Sequence, residues 1–239
     1  MRDRLAVELL RLRHDVALAG SLAFLLIPAL GAAAALPHDG PADARAAELL
    51  AGSQLLSQAV LFIAAAAVYG SLRYTNDYRT GAIARAALLG PRSRLLWDRA
   101  VSAAAGGALI GLVGTALVAT VLGLGSGHTG LTAQTVLGTP AACATAGVWG
   151  LFVGTMVRHH LLTLFVVPTT LFAALPVLAA RPAVGRLLPL GAQLGMITAP
   201  DRAPWTGLLP APYGALVAAA WLVAVGVLAR VLLTRRDLV

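Results

Sequence analysis

From Ala100 to Val157 the chain runs for 58 residues without a formal charge. In hydrocarbon, backbone N–H and C=O groups must be bonded within the protein, so only helices and closed barrels cross a bilayer. A crossing helix needs about 20 apolar residues, so this run is long enough for two. Two further charge-free stretches precede it, Val16–Pro37 with 22 residues and Leu49–Leu72 with 24. Only 12% of the chain is charged and its mean hydropathy is +0.82, whereas soluble domains carry about 25% charged residues. The chain therefore reads as an all-α polytopic membrane protein.

Six spans are predicted, at Val16–Leu36, Leu49–Gly70, Ala100–Leu122, Gln134–Val157, Leu161–Ala180 and Pro212–Leu233. The glycine-rich stretch Gly123–Gly130 marks the turn that divides the long run. The first span is too long for a signal-peptide core of 7–15 residues, so it is expected to be retained. Residues 1–239 then form a single transmembrane domain.

Orientation follows from arginine, since the chain contains no lysine. With six spans, fourteen of the eighteen arginines fall on the side of the two termini. The other side carries Arg45, Arg181, Arg186 and Arg202, balanced by Asp39, Asp43, Glu48 and Asp201. The positive-inside rule places both termini in the cytoplasm. The alanine- and glycine-rich, lysine-free composition suggests a high-GC bacterial genome and hence a bacterial plasma membrane.

Two segments are neither spans nor plain loops. Residues 2–15 are expected to form an interfacial helix, with Leu5, Leu9, Leu12 and Val16 on one face and Arg4, Glu8, Arg11 and Asp15 on another. Its arginines would meet membrane lipids. Residues 181–210 are too apolar for water and too rich in proline to span, so a re-entrant outer segment is expected.

Six arginines and two acids crowd into Arg73–Arg99, between the second and third spans. Arginine at mid-membrane costs about 2.5–3.5 kcal/mol on the most lenient scale, so this island is expected to be a loop in water. Charge alone leaves two readings: arginines anchored to lipid phosphates, or a knob on which a cytosolic protein docks. Tyr74–Leu89 has no proline and admits a short helix, which Gly90-Pro91 would end.

The residues Asn76-Asp77-Tyr78-Arg79-Thr80-Gly81-Ala82-Ile83, then Leu88-Leu89-Gly90-Pro91-Arg92-Ser93-Arg94 and Asp98-Arg99, resemble the corresponding loop of ABC-2 type permeases. These are the membrane subunits of bacterial ABC exporters. Asp77 stands where that family usually has glutamate, Ala82 where it has threonine, and Arg99 where it has lysine. The resemblance extends to the span count, the amino-terminal helix and the broken outer segment. It implies a coupling helix at Asp77–Ile83 in a cytoplasmic loop, residues 73–99, that receives a separate cytosolic ATPase subunit. Asp77, Tyr78, Arg79, Gly81, Arg85, Pro91, Arg92 and Arg99 would serve that coupling. Asp77 would cap the helix or pair with a basic residue of the partner, and Arg79 and Arg85 would meet its acids. ATP and magnesium would be bound by the partner, because a phosphate-binding Walker loop requires a lysine that this chain lacks. Six spans are half of such a unit, so a second permease copy or homologue is implied.

Gln54, Gln58 and Phe62 on the second span, with Thr169 and Phe172 on the fifth, are the substrate-pathway candidates. No span holds an obvious buried acid or base, which favours an apolar or amphiphilic cargo. Gly107-x-x-x-Gly111 and Ala146-x-x-x-Gly150-x-x-x-Gly154 are small-residue series that pack helices within one subunit or between two. His159-His160 lacks the companions of a metal site, no nucleophile motif occurs, and the basic residues are tied to the membrane rather than to nucleic acid. A chain with this loop but no transport role would be a membrane anchor or immunity scaffold that recruits a cytosolic protein.

Overall fold

The computed structural model describes residues 10, 14–36, 43–83, 85, 92–198 and 207–235, which are helical with no strand. Six helical stretches among them are long and apolar enough to cross a membrane. The first comprises α1 (Val16–Phe24) and α2 (Leu26–Ala34); the second is α3 (Ala44–Arg79). The third is α4 (Arg92–Ser126) and the fourth α5 (Ala133–Val157). The fifth comprises α6 (His160–Phe172) and α7 (Ala174–Ala180). After the short α8 (Pro182–Gly185) and α9 (Pro189–Ile197), α10 (Ala211–Arg235) is the sixth. The predicted interfacial helix lies outside the described residues except for Leu10, His14 and Asp15.

Proline divides the first and fifth spans. A helical proline lacks an N–H and collides with the carbonyl four residues before it. Pro28 acts on Phe24, where α1 ends, and Pro176 on Phe172, where α6 ends. The second span differs more from expectation. It was expected to end at Gly70, yet α3 continues through Arg73 to Arg79. Its 36 residues extend about 54 Å, well beyond the roughly 30 Å of hydrocarbon. The island is therefore not a loop from Arg73 onward. Its first two turns are helix, and Arg73 and Asp77 within them find partners inside the bundle.

The helix stops at Thr80, whose N–H donates to Asn76 O at 3.0 Å, and Gly81 follows at φ +69°. That left-handed geometry suits glycine. A fresh helical segment begins at Ala82.

The centre of the bundle is a seam of small residues where α5 meets α3 and α4. Gly70 abuts the Gly147 carbonyl, Gly150 the Ala67 carbonyl, and Gly107 the Cys143 carbonyl; a β-carbon at any of these would collide with backbone. A β-carbon on Gly111 would lie 2.9 Å from Thr139 O, and one on Gly154 3.1 Å from Ser71 Cα. Both small-residue series are thus occupied by neighbours in the same chain. Lipid tails are as apolar as leucine, so close backbone approach and dispersion, rather than water exclusion, hold such helices together.

All nine residues of α9 are buried. At about 13.5 Å the helix is too short to cross. Gly138 of α5 meets the Met196 carbonyl, and a β-carbon on Gly214 of α10 would lie 2.7 Å from Ala192 O. Trp221 of α10 donates to Leu187 O at 2.8 Å. The apolar character of this segment is therefore accounted for by burial against α5 and α10. Pro182 and Pro189 each open a helix, where a missing N–H costs nothing. Trp205 and the prolines at 200 and 204 lie outside the described residues.

Candidate functional site: the arginine-rich end of the bundle

Asp15 stands one residue before α1 and caps it, accepting from Ala17 N at 2.9 Å. Its other carboxylate oxygen pairs with Arg73 of α3 and accepts from the Tyr69 hydroxyl at 3.4 Å. Tyr69, Arg73 and Asp77 follow at four-residue spacing, so they share one face of α3. Arg73 Nε donates to Ser102 Oγ of α4 at 3.0 Å, and Ser102 in turn donates to Arg99 O at 2.9 Å. One turn further along α3, Asp77 pairs with Arg99 at 2.7 Å. A continuous polar chain thus ties α1 to α3 and α3 to α4.

Arg73 and Arg99 are each only 6% exposed. An arginine buried that far requires a carboxylate, since breaking a buried pair costs about 3–5 kcal/mol. The two pairs flank a cavity of about 220 Å³, lined by Asp15, Arg73, Asn76, Asp77, Ala82 and Arg99. Its walls hold two carboxylates and two guanidinium groups, so the charges are balanced within the chain.

The other side of α3 is tied as well. Tyr74 and Tyr78 stack with ring centroids 6.4 Å apart, and the Arg158 guanidinium lies 5.5 Å from the Tyr78 ring. Arg158 closes α5 at φ 56°, a left-handed conformation that costs a non-glycine residue about 1 kcal/mol or more and turns the chain into α6. Thr75 Oγ1 meets His160 Nδ1 at 3.1 Å, and His159 caps α6 by accepting from Leu162 N at 3.2 Å. Ile83 is buried with Tyr74, Leu96, Leu151, Phe152 and Leu233, which anchors the segment just past Gly81.

The structure therefore brings together Asp77, Tyr78, Gly81 and Arg99 of the predicted coupling residues. Arg79 and Arg85 are exposed beside the Thr80–Gly81 turn. Pro91 and the side chain of Arg92 lie outside the described residues. The capping role expected for Asp77 needs correction. It sits in the last turn of α3, where a carboxylate cannot cap a helix start, and it pairs with Arg99 of its own chain.

Asp15 and Arg73 were missed. Sequence reasoning alone puts Arg73 among the solvated arginines and Asp15 on the polar face of an interfacial helix. Two signals pointed elsewhere: an aspartate directly before an apolar helix is a capping residue, and Tyr69, Arg73 and Asp77 have the spacing of one helix face.

The five pathway candidates do not converge. Gln54 lines a cavity of about 150 Å³ with Leu36 and Ser126. The Gln58 amide packs beside Gly31 of α2, 3.6 Å from where a β-carbon would stand. Phe62 is fully buried against Gly114 of α4. Thr169 is exposed, whereas Phe172 lines an apolar cleft of about 550 Å³ between α1, α3 and α6. The three α3 residues face α2 and α4, while α6 meets a different face of α3.

In comparisons with known families, curated proteins and solved structures, no family model, no curated protein and no solved structure matches this chain.

Proposed function

We propose that this chain is the membrane subunit of an ABC-2 type exporter. It sits in a bacterial plasma membrane with both termini in the cytoplasm. A separate cytosolic ATPase, which binds ATP and magnesium, docks at the arginine-rich end. A second permease copy or homologue completes the pathway for an apolar or amphiphilic substrate. In the same reading residues 2–15 lie along the inner membrane surface, and α9 is a re-entrant element on the outer side.

One observation supports this reading above the others. The turn at Thr80–Gly81, flanked by exposed Arg79 and Arg85, is joined through the Asp15–Arg73 and Asp77–Arg99 pairs to three spans. A force on that turn would reach α1, α3 and α4 together, because ion pairs and buried side chains deform little. Exposed arginines suit the acidic surface of a partner.

The test is co-expression of the full chain with ABC ATPases encoded near its gene, followed by purification in mild detergent. The complex should hydrolyse ATP, and Arg79→Glu with Arg85→Glu should weaken the association about tenfold or more. If no such ATPase co-purifies, or the association withstands both substitutions, the assignment is wrong.

A further inference from the structure

The apolar cleft between α1, α3 and α6 holds about 550 Å³. Its walls are short, with Ala17 and Gly20 on α1 and Ala64 and Ala65 on α3, and these small residues leave the space. Ser21 is the one lining residue with a polar side chain. Val16 and Phe24 are exposed, so the cleft opens on the outer surface of the bundle.

The length and depth of the cleft can be read along α3. Its lining residues run from Leu72 to Leu61, eleven positions or about 16.5 Å of helix. Leu72 adjoins Arg73 and Val16 adjoins Asp15, so one end of the cleft lies beside the Asp15–Arg73 pair. The other end is lined by Phe24, Leu61 and Phe172, each close to the midpoint of its own span. The cleft thus runs from the arginine-rich boundary to the middle of the spans, and one leaflet of hydrocarbon is about 15 Å deep. Spread over about 16.5 Å, its volume gives a channel of about 33 Å² in cross-section. A helix about 10 Å across needs roughly 80 Å², so a helix of a second copy is too broad to enter, whereas a single extended chain is not.

From this shape we infer that the cleft seats one acyl chain of a phospholipid from the leaflet at the arginine-rich end. An apolar cavity stays dry, and where these helices cross a bilayer the medium at its opening is lipid tails. The chain enters beside Val16 and Leu72, and its terminal methyl reaches Phe24, Leu61 and Phe172. It fills the space between α1 and α6 and so fastens α1 to the bundle by dispersion, the force that joins helices in lipid.

The probe is a phosphatidylglycerol with a diazirine near the end of one palmitoyl chain, in vesicles that hold the full chain. After illumination and digestion, the label should fall on Phe24, Leu61 and Phe172 well above its level on Leu216 and Val223, which are exposed on α10. A β-carbon at Gly20 meets nothing within 4 Å, so Gly20→Leu has room at its base and fills the cleft. It should cut the labelling about tenfold, the change expected when about two buried methylene groups lose their place. Gly20→Ala should keep most of the labelling. In detergent, added phosphatidylglycerol should raise the melting temperature of the delipidated unchanged chain and leave that of Gly20→Leu where it was. The assay contains no ATPase, so its outcome is independent of the transport reading. The inference is overturned if the label reaches these three residues no more than α10, or reaches them undiminished in Gly20→Leu. Cys143 is buried, so a disulfide-linked dimer formed by Gly20→Cys would put a second copy at the cleft and overturn it equally.

Discussion

The two ends of the bundle solve the problem of polar groups in opposite ways. At the arginine-rich end, Arg73 and Arg99 meet Asp15 and Asp77 across helix boundaries, and the small cavity between them is electrically balanced. At the far end, Glu48, Ser53, Thr132, Thr135 and Thr198 line a larger cup of about 410 Å³ between α3, α5 and α9, and the Thr132 and Thr135 side chains are spent on capping α5. The first arrangement is complemented by its own chain and behaves as a joint. The second is open space: a β-carbon on Gly52, which lines it, would meet nothing within 4 Å. A side chain should therefore be expensive to remove at the first end and inexpensive to add at the second.

The strongest way to break this contrast is Arg73→Ala. It leaves the Asp15 carboxylate buried with its guanidinium gone, and a loss of about 3–5 kcal/mol is expected, visible as a large drop in melting temperature in detergent. A loss below about 1 kcal/mol would mean that the joint is not structural. Asp77→Ala comes next. Asp77 is more exposed than Arg73, so the expected loss is about 1.5–3 kcal/mol, typical of a charged hydrogen bond. The double change Asp77→Ala with Arg99→Ala should cost less than the sum of the single changes, and additivity within about 0.3–0.5 kcal/mol would argue against direct coupling.

At the other end, Gly52→Ala should stabilise the chain by up to about 1 kcal/mol, because a helical glycine is replaced and the added β-carbon meets nothing within 4 Å. Destabilisation there would mean that the cup is not open. The smallest effect belongs to Arg79→Glu with Arg85→Glu. Both side chains are exposed, so stability should change by no more than about 0.5 kcal/mol while association with the ATPase falls. A melting point that drops with the association would tie these arginines to the joint instead of the docking face.

Much of the site was legible in the sequence, but only in part. The resemblance singled out Asp77, Tyr78 and Arg99, and the structure gathers them at one end. What the pattern concealed was where the charges go. Counting arginines as water-exposed is sound for a solvated loop, but Arg73 lies one helical turn from both Tyr69 and Asp77, on a face that closes on Asp15. Likewise Gln54, Gln58 and Phe62 follow at four-residue spacing, which puts them on one face of α3. A face is not yet a pathway, and this one is covered by α2 and α4.

The sequence by itself determined the class of the fold, the number of apolar helices and the division of charge between the two ends. These follow from the cost of bare backbone and charge in hydrocarbon, which acts on each segment separately. Proline accounts for the breaks in the first and fifth spans, but position alone does not decide them, since α5 and α6 run unbroken through Pro140 and Pro168. Only the tertiary structure decided that α3 continues through the arginine island, that the glycine series are used within the chain, and that Asp15 belongs to Arg73. It alone assembled the cup from three helices distant in the chain. Each of these depends on which faces meet, and contact between residues far apart in the chain is settled by packing the whole bundle at once.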